Sequence, residues 1–364
     1  MPRNPTILYS TTRMWNAGDD FILFGVRSLI RELLPASIPL VYNRNPDLHI
    51  PRLQLDRAIE LKDKTTGQIL RLNAWDMLLK QHSWRFDNSW RPHHGLEGID
   101  YCIFAGTPEW QGPMVGPLTA VLAKSEIPVF YFGLGSFEKT ARTPFEKLPA
   151  DDQTLLSRAK IITVRDPIAA EMLRPLRPVQ LPCPSLFAAP GPRQRGKLRR
   201  IALSTQGTTA ANHQKVAPEI QKFTVELFRA LAKEFPCELV CHYIDEVFEL
   251  RKLLGDELPI RFSYDAKDYL EIYDEFDLTV TTRLHGAGLC ASMGIPALLI
   301  AHSVRAASAE GFLAELVDPT SATPQDVVAT IRALNIIDRS SALILHREVN
   351  RKRYLELLRP HFEA

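Results

Sequence analysis

An arginine and a histidine two positions apart, at the end of an apolar run and ahead of a glycine-opened helix, are the residues of this chain best placed to do chemistry. They are Arg283 and His285 in "DLTVTTRLHGAGLCASMGIPALLI", residues 277–300. In an open α/β sheet, ligands bind beyond the carboxyl ends of the strands, where loops meet helix N-termini. The first turn of the following helix offers unpaired N–H groups and the positive end of a dipole, ready for a phosphate. Arg283 adds a planar fork that grips phosphate or carboxylate with two bonds, and Gly286 and Gly288 let a ligand approach the backbone. His285 is suited to proton transfer near neutral pH. Its bland alternative is a histidine closing a strand end against a backbone carbonyl.

Other strand ends carry further candidates. In "RMWNAGDD", residues 13–20, Asn16 and Gly18 suit a tight turn, and Asp19 or Asp20 is expected to cap the next helix. The remaining aspartate is then available to bind a hydroxyl or act as a base. In "IITVRDP" the choice at Arg165 and Asp166 lies between a ligand contact and a strand-end ion pair, with Asp166 as N-cap ahead of Pro167. Gly133 and Gly135 either line a cleft or make a plain turn. Thr205 and Gln206 end a strand where they can touch a ligand. His242, Asp245 and Glu246 follow a second-domain strand, where they either face the cleft or, as the preferred reading, the acids are solvated at a helix start. Cys237, Cys241 and His242 sit in the apolar stretch "CELVCHY" and read as a buried strand, so no metal is expected.

The elements that position these residues alternate along the chain. Short β-branched and aromatic runs such as "TILYS", "YCIFAG", "PVFYFGLGS" and "IITVRD" are separated by helical patterns, the signature of parallel sheets wrapped by helices. Ile22, Val26, Leu29, Ile30 and Leu33 fall on one helical face before Pro35. The stretch 188–200, "AAPGPRQRGKLRR", breaks the periodicity and reads as a linker. The alternation then restarts at "RIALST". The expected organisation is α/β: an N-terminal Rossmann-like domain at 1–190 with an insertion at 44–98, a linker at 191–200, and a second Rossmann-like domain at 201–364 closed by C-terminal helices. The insertion holds "HSWRFDNSWRPHH", either a surface addition or an acceptor-binding flap in which indole rings stack on sugars.

At 364 residues the chain is long enough for two cores, and 44 basic against 42 acidic residues leave a net charge of only +2. Bulk charge therefore argues against nucleic acid or an anionic membrane as partner, and any anion site is local. Five cysteines make no secreted framework, the N-terminus has no signal-peptide run, and no stretch reaches the roughly 18 apolar residues of a membrane helix. A cytoplasmic location is expected, and a homo-oligomer is left open.

"NAGDD", "ITVRDPIAAEML" and "TTRLHGAGLCASMGIPALLI", in that order, resemble the polysaccharide pyruvyl transferase family, over roughly residues 7–316. The resemblance implies a two-domain fold similar to GT-B glycosyltransferases, with Rossmann-like domains facing each other across a cleft. It further implies transfer of the pyruvyl group of phosphoenolpyruvate onto sugar hydroxyls, commonly as a ketal, with a small-molecule donor, a glycan acceptor and no cofactor. Carried onto this chain, Arg283 and His285 match the donor site, Asn16, Gly18 and Asp19 the N-terminal loop, and Arg165 and Asp166 the R-D pair. Arg305, in "AHSVRA", is a second candidate for the donor's charge, with Thr282 and Gly286 beside it. His285, Arg283 and Asp19 are the catalytic candidates, His285 and Asp19 as acid and base in either order. The rival readings are a GT-B glycosyltransferase using a nucleotide sugar, and a non-catalytic sugar- or nucleotide-binding module.

Overall fold

Strand-forming runs buried on both faces must be covered by helices on both sides, and the computed structural model realises that arrangement twice. It describes residues 4–11, 17–43, 96–105, 115–136, 143–207 and 216–362. Most of the insertion expected at 44–98 lies outside the described residues, as does Asn16.

In the N-terminal half the order is β1 (Thr6–Thr11), α1 (Ala17–Leu33), β2 (Ile38–Asn43), β3 (Tyr101–Ala105), α2 (Gly116–Leu122) and β4 (Val129–Leu134). It continues with α3 (Ala150–Ser157), β5 (Ile161–Val164), α4 (Pro167–Met172) and β6 (Val179–Gln180). In the C-terminal half it runs β7 (Ile201–Ser204), α5 (Pro218–Ala232), β8 (Cys237–Cys241), α6 (Ile244–Leu254), β9 (Ile260–Phe262) and α7 (Asp268–Asp274). There follow β10 (Leu278–Thr281), α8 (Leu284–Ser292), β11 (Ala297–Ile300), β12 (Glu315–Val317), α9 (Pro324–Ala333) and α10 (Ile336–Phe362). The described strands form two six-stranded sheets, ordered β2-β1-β3-β4-β5-β6 and β12-β11-β10-β7-β8-β9, paired in parallel throughout. These are two Rossmann-like domains in a GT-B-like arrangement. In the second sheet the chain leaves β7 toward β8 and β9, then returns to place β10 on the other side of β7. The carboxyl ends of β7 and β10 thus form the switch point, where such sheets bind ligands.

The helical face expected in α1 is present: Ile22, Val26, Leu29 and Ile30 are fully buried. The helix begins at Ala17, so Asp19 and Asp20 lie inside its first turn and neither caps it, a correction to the expected cap. There they complement the positive end of the helix dipole.

The two domains share apolar packing. One cluster joins Ile22, Val26 and Ile30 of α1 to Leu284, Ala287 and Ala291 of α8, and a second joins Phe21 of α1 to Tyr269, Tyr273 and Leu289 of the second domain. Small residues in α8 allow this approach: a Cβ on Gly288 would fall 2.3 Å from Ser185 Oγ and 2.7 Å from Phe312 Cζ. Gly288 therefore serves helix packing, not the ligand approach expected of it. Helix α10 returns to the first sheet, where Phe362 stacks on Phe130 at 4.8 Å between centroids and the Tyr354 hydroxyl donates to the Pro182 carbonyl at 2.8 Å.

Candidate active site

The carboxyl ends of β7, β8 and β10, together with the segment after β11, open on one place, and the N-terminus of α1 and the end of β5 reach it from the other domain. At the end of β10, Thr281 Oγ1 accepts the N–H of Arg283 at 2.8 Å and fixes the turn into α8. Thr282 Oγ1 accepts the N–H of Gln206 at 2.8 Å and lies 3.3 Å from Thr205 Oγ1. The Thr282 hydroxyl, a predicted substrate contact, is thus engaged in tying the β7 and β10 loops together. His302 donates from Nε2 to the Thr282 carbonyl at 3.2 Å.

Arg283 is 5% exposed and pairs with Glu246, whose side chain is fully buried. Its guanidinium carbon lies 4.4 Å from the centre of the Tyr243 ring, a cation–π contact. Glu246 is not the solvated acid expected from the sequence. One of its oxygens accepts the backbone N–H groups of His242 at 2.8 Å and Tyr243 at 3.2 Å, closing the N-terminus of α6. A buried charge requires such partners, and here the carboxylate anchors an arginine at the cleft wall.

Arg165 and His285 meet across the domain boundary. Arg165 Nη1 donates to His285 Nε2 at 2.7 Å, and Arg305 Nη2 lies 3.5 Å from the same nitrogen. A guanidinium has donors only, so Nε2 is an acceptor and the imidazole is neutral in this arrangement. Burial, then the charges of Arg165 and Arg305, then His242 and Arg283, hold it well below the usual histidine range. Burial, followed by Arg165, lowers Arg305 to about 10, while the Asp19 carboxylate opposes them. Arg305 stays charged at neutral pH.

Arg165 is 3% exposed, and its Nε and Nη2 have no hydrogen-bond partner among the described residues. Its partner is not Asp166, so the strand-end ion pair does not form. Asp166 caps α4 by accepting the Ala169 N–H at 2.8 Å, as its position before Pro167 suggests, and also accepts the Ser136 N–H at 2.9 Å. Ser308, from the second domain, donates to it at 3.3 Å. Gly135 has a defined purpose: a Cβ there would sit 2.3 Å from Arg165 Nε.

Gly18, Gln206, His242, Tyr243, Arg283, Leu284, His285, Gly286 and Arg305 wall a small cavity of about 30 Å³. Leu284, His285 and Gly286 form the first turn of α8, where backbone N–H groups have no acceptor within the helix. Asp19 is 5% exposed and acts electrostatically on Arg305. The structure therefore gathers Gly18, Asp19, Arg165, Arg283, His285, Gly286 and Arg305 around one space, while Asn16 lies outside the described residues. Sequence reasoning left the buried roles of Glu246 and Gly135 unassigned. It left Gln206 without a side: the residue is 5% exposed, lines the cavity, and its Oε1 has no partner among the described residues. His242, packed edge-on against Phe21 and bonded through Nε2 to the Tyr273 hydroxyl at 2.8 Å, is held below the ordinary histidine range by burial and then Arg283.

A family model described as polysaccharide pyruvyl transferase matches residues 16–304. Among solved structures, the chain is similar to a protein of Listeria monocytogenes provisionally assigned as a UDP-N-acetylglucosamine 2-epimerase, at 14% identity and TM-score 0.56, over 99% of this chain and 97% of that one. It is also similar to MnaA from S. aureus in complex with UDP, at 15% identity and TM-score 0.55 over 97% of both chains. A third is the glycosyltransferase of kitacinnamycin, at 16% identity and TM-score 0.52 over 99% of both. These likenesses show the two-domain fold. No curated protein matches the chain in sequence.

Proposed function

The chain belongs to the polysaccharide pyruvyl transferase family and is a transferase, and from that premise we propose that it moves the pyruvyl group of phosphoenolpyruvate onto sugar hydroxyls of a glycan or glycan precursor. The observation that carries this reading is the convergence of Arg165, Arg283 and Arg305 on a neutral His285 at the first turn of α8. A cavity with that surplus of positive charge suits a small donor bearing both a phosphate and a carboxylate. Bidentate guanidinium contacts and the helix N–H groups hold its oxygens.

The reaction needs one proton delivered and another removed. The methylene carbon of the donor takes a proton, the adjacent carbon gains positive character, and a sugar hydroxyl attacks that carbon and gives up its own proton. The carbon–oxygen bond to phosphate then breaks, and a second hydroxyl attacks the same carbon, its proton passing to the departing phosphate, to close a ketal. His285 is the proton donor in this scheme. Its nitrogen is neutral while bonded to Arg165, and an anionic donor oxygen that takes over the Arg165 N–H frees Nε2 and offsets the surrounding charge, so the imidazole gains a proton as the donor arrives. Asp19, next to Arg305, orients and deprotonates the acceptor hydroxyl. Each such role contributes about 10²–10⁴-fold.

The test incubates the protein with phosphoenolpyruvate and a panel of glycans and nucleotide- or lipid-linked sugars, following phosphate release and product mass. A pyruvyl gain on one acceptor supports the reading. Consumption of a nucleotide sugar, with phosphoenolpyruvate untouched, replaces it with glycosyl transfer, and no turnover of either leaves a binding module.

A further inference from the structure

We infer that a second cavity, at the seam between the domains and away from the cleft, binds a small phosphate ester carrying an apolar group. Its wall on the first domain is one stripe of α1, Phe24, Arg27, Ser28 and Arg31, at spacings of three and four residues. Facing that stripe are Lys267 and Leu270 of the second domain, and residues 188–190 of the interdomain segment close the floor. The cavity measures about 550 Å³, within the roughly 300–1,000 Å³ typical of small-molecule sites. Along α1 the stripe begins roughly 7.5 Å from Asp19, at Phe24, and ends roughly 18 Å from it, at Arg31, so the cationic end lies away from the cleft.

Charge selects the ligand. Among the described lining residues three are cations and none is an acid. Neighbouring arginines are neutralised: Arg351 by Glu32, Arg347 by Glu348, and Arg193 and Arg195 by Asp274. Among the described residues, Arg31 and Lys267 have no such ion pair. The acids closest to them in sequence are occupied elsewhere, Glu32 with Arg351 and Asp268 with Ser263 Oγ. The side chains of Arg31 and Lys267 both reach solvent, so an anion between the two elements can be gripped by both cations, and a phosphate fits the planar arginine fork. Phe24, Leu270, Ala188 and Ala189 give the ligand an apolar surface that inorganic phosphate cannot use. Because each domain supplies cations, the occupant bridges them. The inference stands independently of the donor assignment in the cleft.

Calorimetric titration of the full chain with phenyl phosphate tests it, using wild type, Arg31→Glu/Lys267→Glu and the milder Arg31→Ala. Wild type is expected to bind phenyl phosphate at least tenfold more tightly than inorganic phosphate and to melt at a higher temperature when saturated. The charge reversal is expected to weaken binding at least tenfold, with a smaller loss in Arg31→Ala. If the double variant fails to fold, the single variant decides. A parallel sedimentation with phosphatidylcholine vesicles containing phosphatidic acid distinguishes a lipid headgroup from a soluble ester: pelleting abolished by the charge reversal assigns the phosphate to a lipid. The absence of phenyl phosphate binding, or an affinity unchanged in the variants, overturns the inference, the latter by placing the ligand in the cleft.

Discussion

Nη1 of Arg165, on the first domain, lies 2.7 Å from Nε2 of His285, on the second. That bond makes the catalytic candidate a joint product of both halves of the chain, and it links the proton affinity of His285 to the presence of an anion in the cavity. His285→Ala is expected to lower kcat by about 10²–10⁴-fold while leaving the fold intact. Steady-state kinetics alongside a thermal melt checks this.

Gly135 offers a milder perturbation of the same contact. The Cβ of a Gly135→Ala variant would lie 2.3 Å from Arg165 Nε. The end of a flexible side chain can move aside, so the protein is expected to fold while the guanidinium leaves His285. Phosphoenolpyruvate affinity should fall by about tenfold or more, equivalent to about 1.4 kcal/mol, with the melting temperature within a few degrees of wild type. Calorimetry reads the first quantity and a melt the second.

Glu246 holds Arg283 and closes α6 from a fully buried position. Removing one partner of such a pair strands the other charge, so Glu246→Ala is expected to cost about 3–5 kcal/mol of stability. Glu246→Gln keeps the hydrogen-bonding shape at the helix start and should lose less. Chemical denaturation of the two variants against wild type gives the comparison.

Acidification should destabilise the fold. His242 and His285 are held well below their ordinary value and His302 falls to about 4, in each case through burial first. Between the folded value and about 6.5 the unfolded chain carries the proton and the native one does not, so this stabilisation is complete above pH 6.5 and is lost as pH falls. His302 alone accounts for about 3 kcal/mol by pH 4. Asp152, raised to about 6 by burial, has the opposite sign and reduces the slope between pH 6 and its unfolded value near 3.8. Denaturation midpoints measured from pH 7 to pH 5 should decrease. His302→Gln should flatten the dependence by up to one proton.

Much of the fold was legible because strand and helix periodicities are local properties. The buried stripe of α1 and the cap at Asp166 follow from spacing and residue type, and the R-L-H segment stands at a strand end as its pattern suggests. Partners brought by tertiary contact were not legible. Arg165 has an acid beside it in sequence yet bonds to a histidine 120 residues away. Glu246 has the spacing of a solvated helix-start acid, and only the position of Arg283 explains its burial. Gly288 lies in a segment suited to ligand approach, and its small size instead admits Ser185 and Phe312.

The most direct test of the central claim is calorimetric titration of phosphoenolpyruvate into wild type, Arg165→Ala and Arg283→Ala, with the melts of all three recorded. The account predicts binding to wild type and affinity reduced by about tenfold or more in each folded variant, since each loses a charge-assisted contact worth about 1.5–3 kcal/mol. Equal affinity in all three proteins, or no binding to wild type where a nucleotide sugar binds, would contradict it.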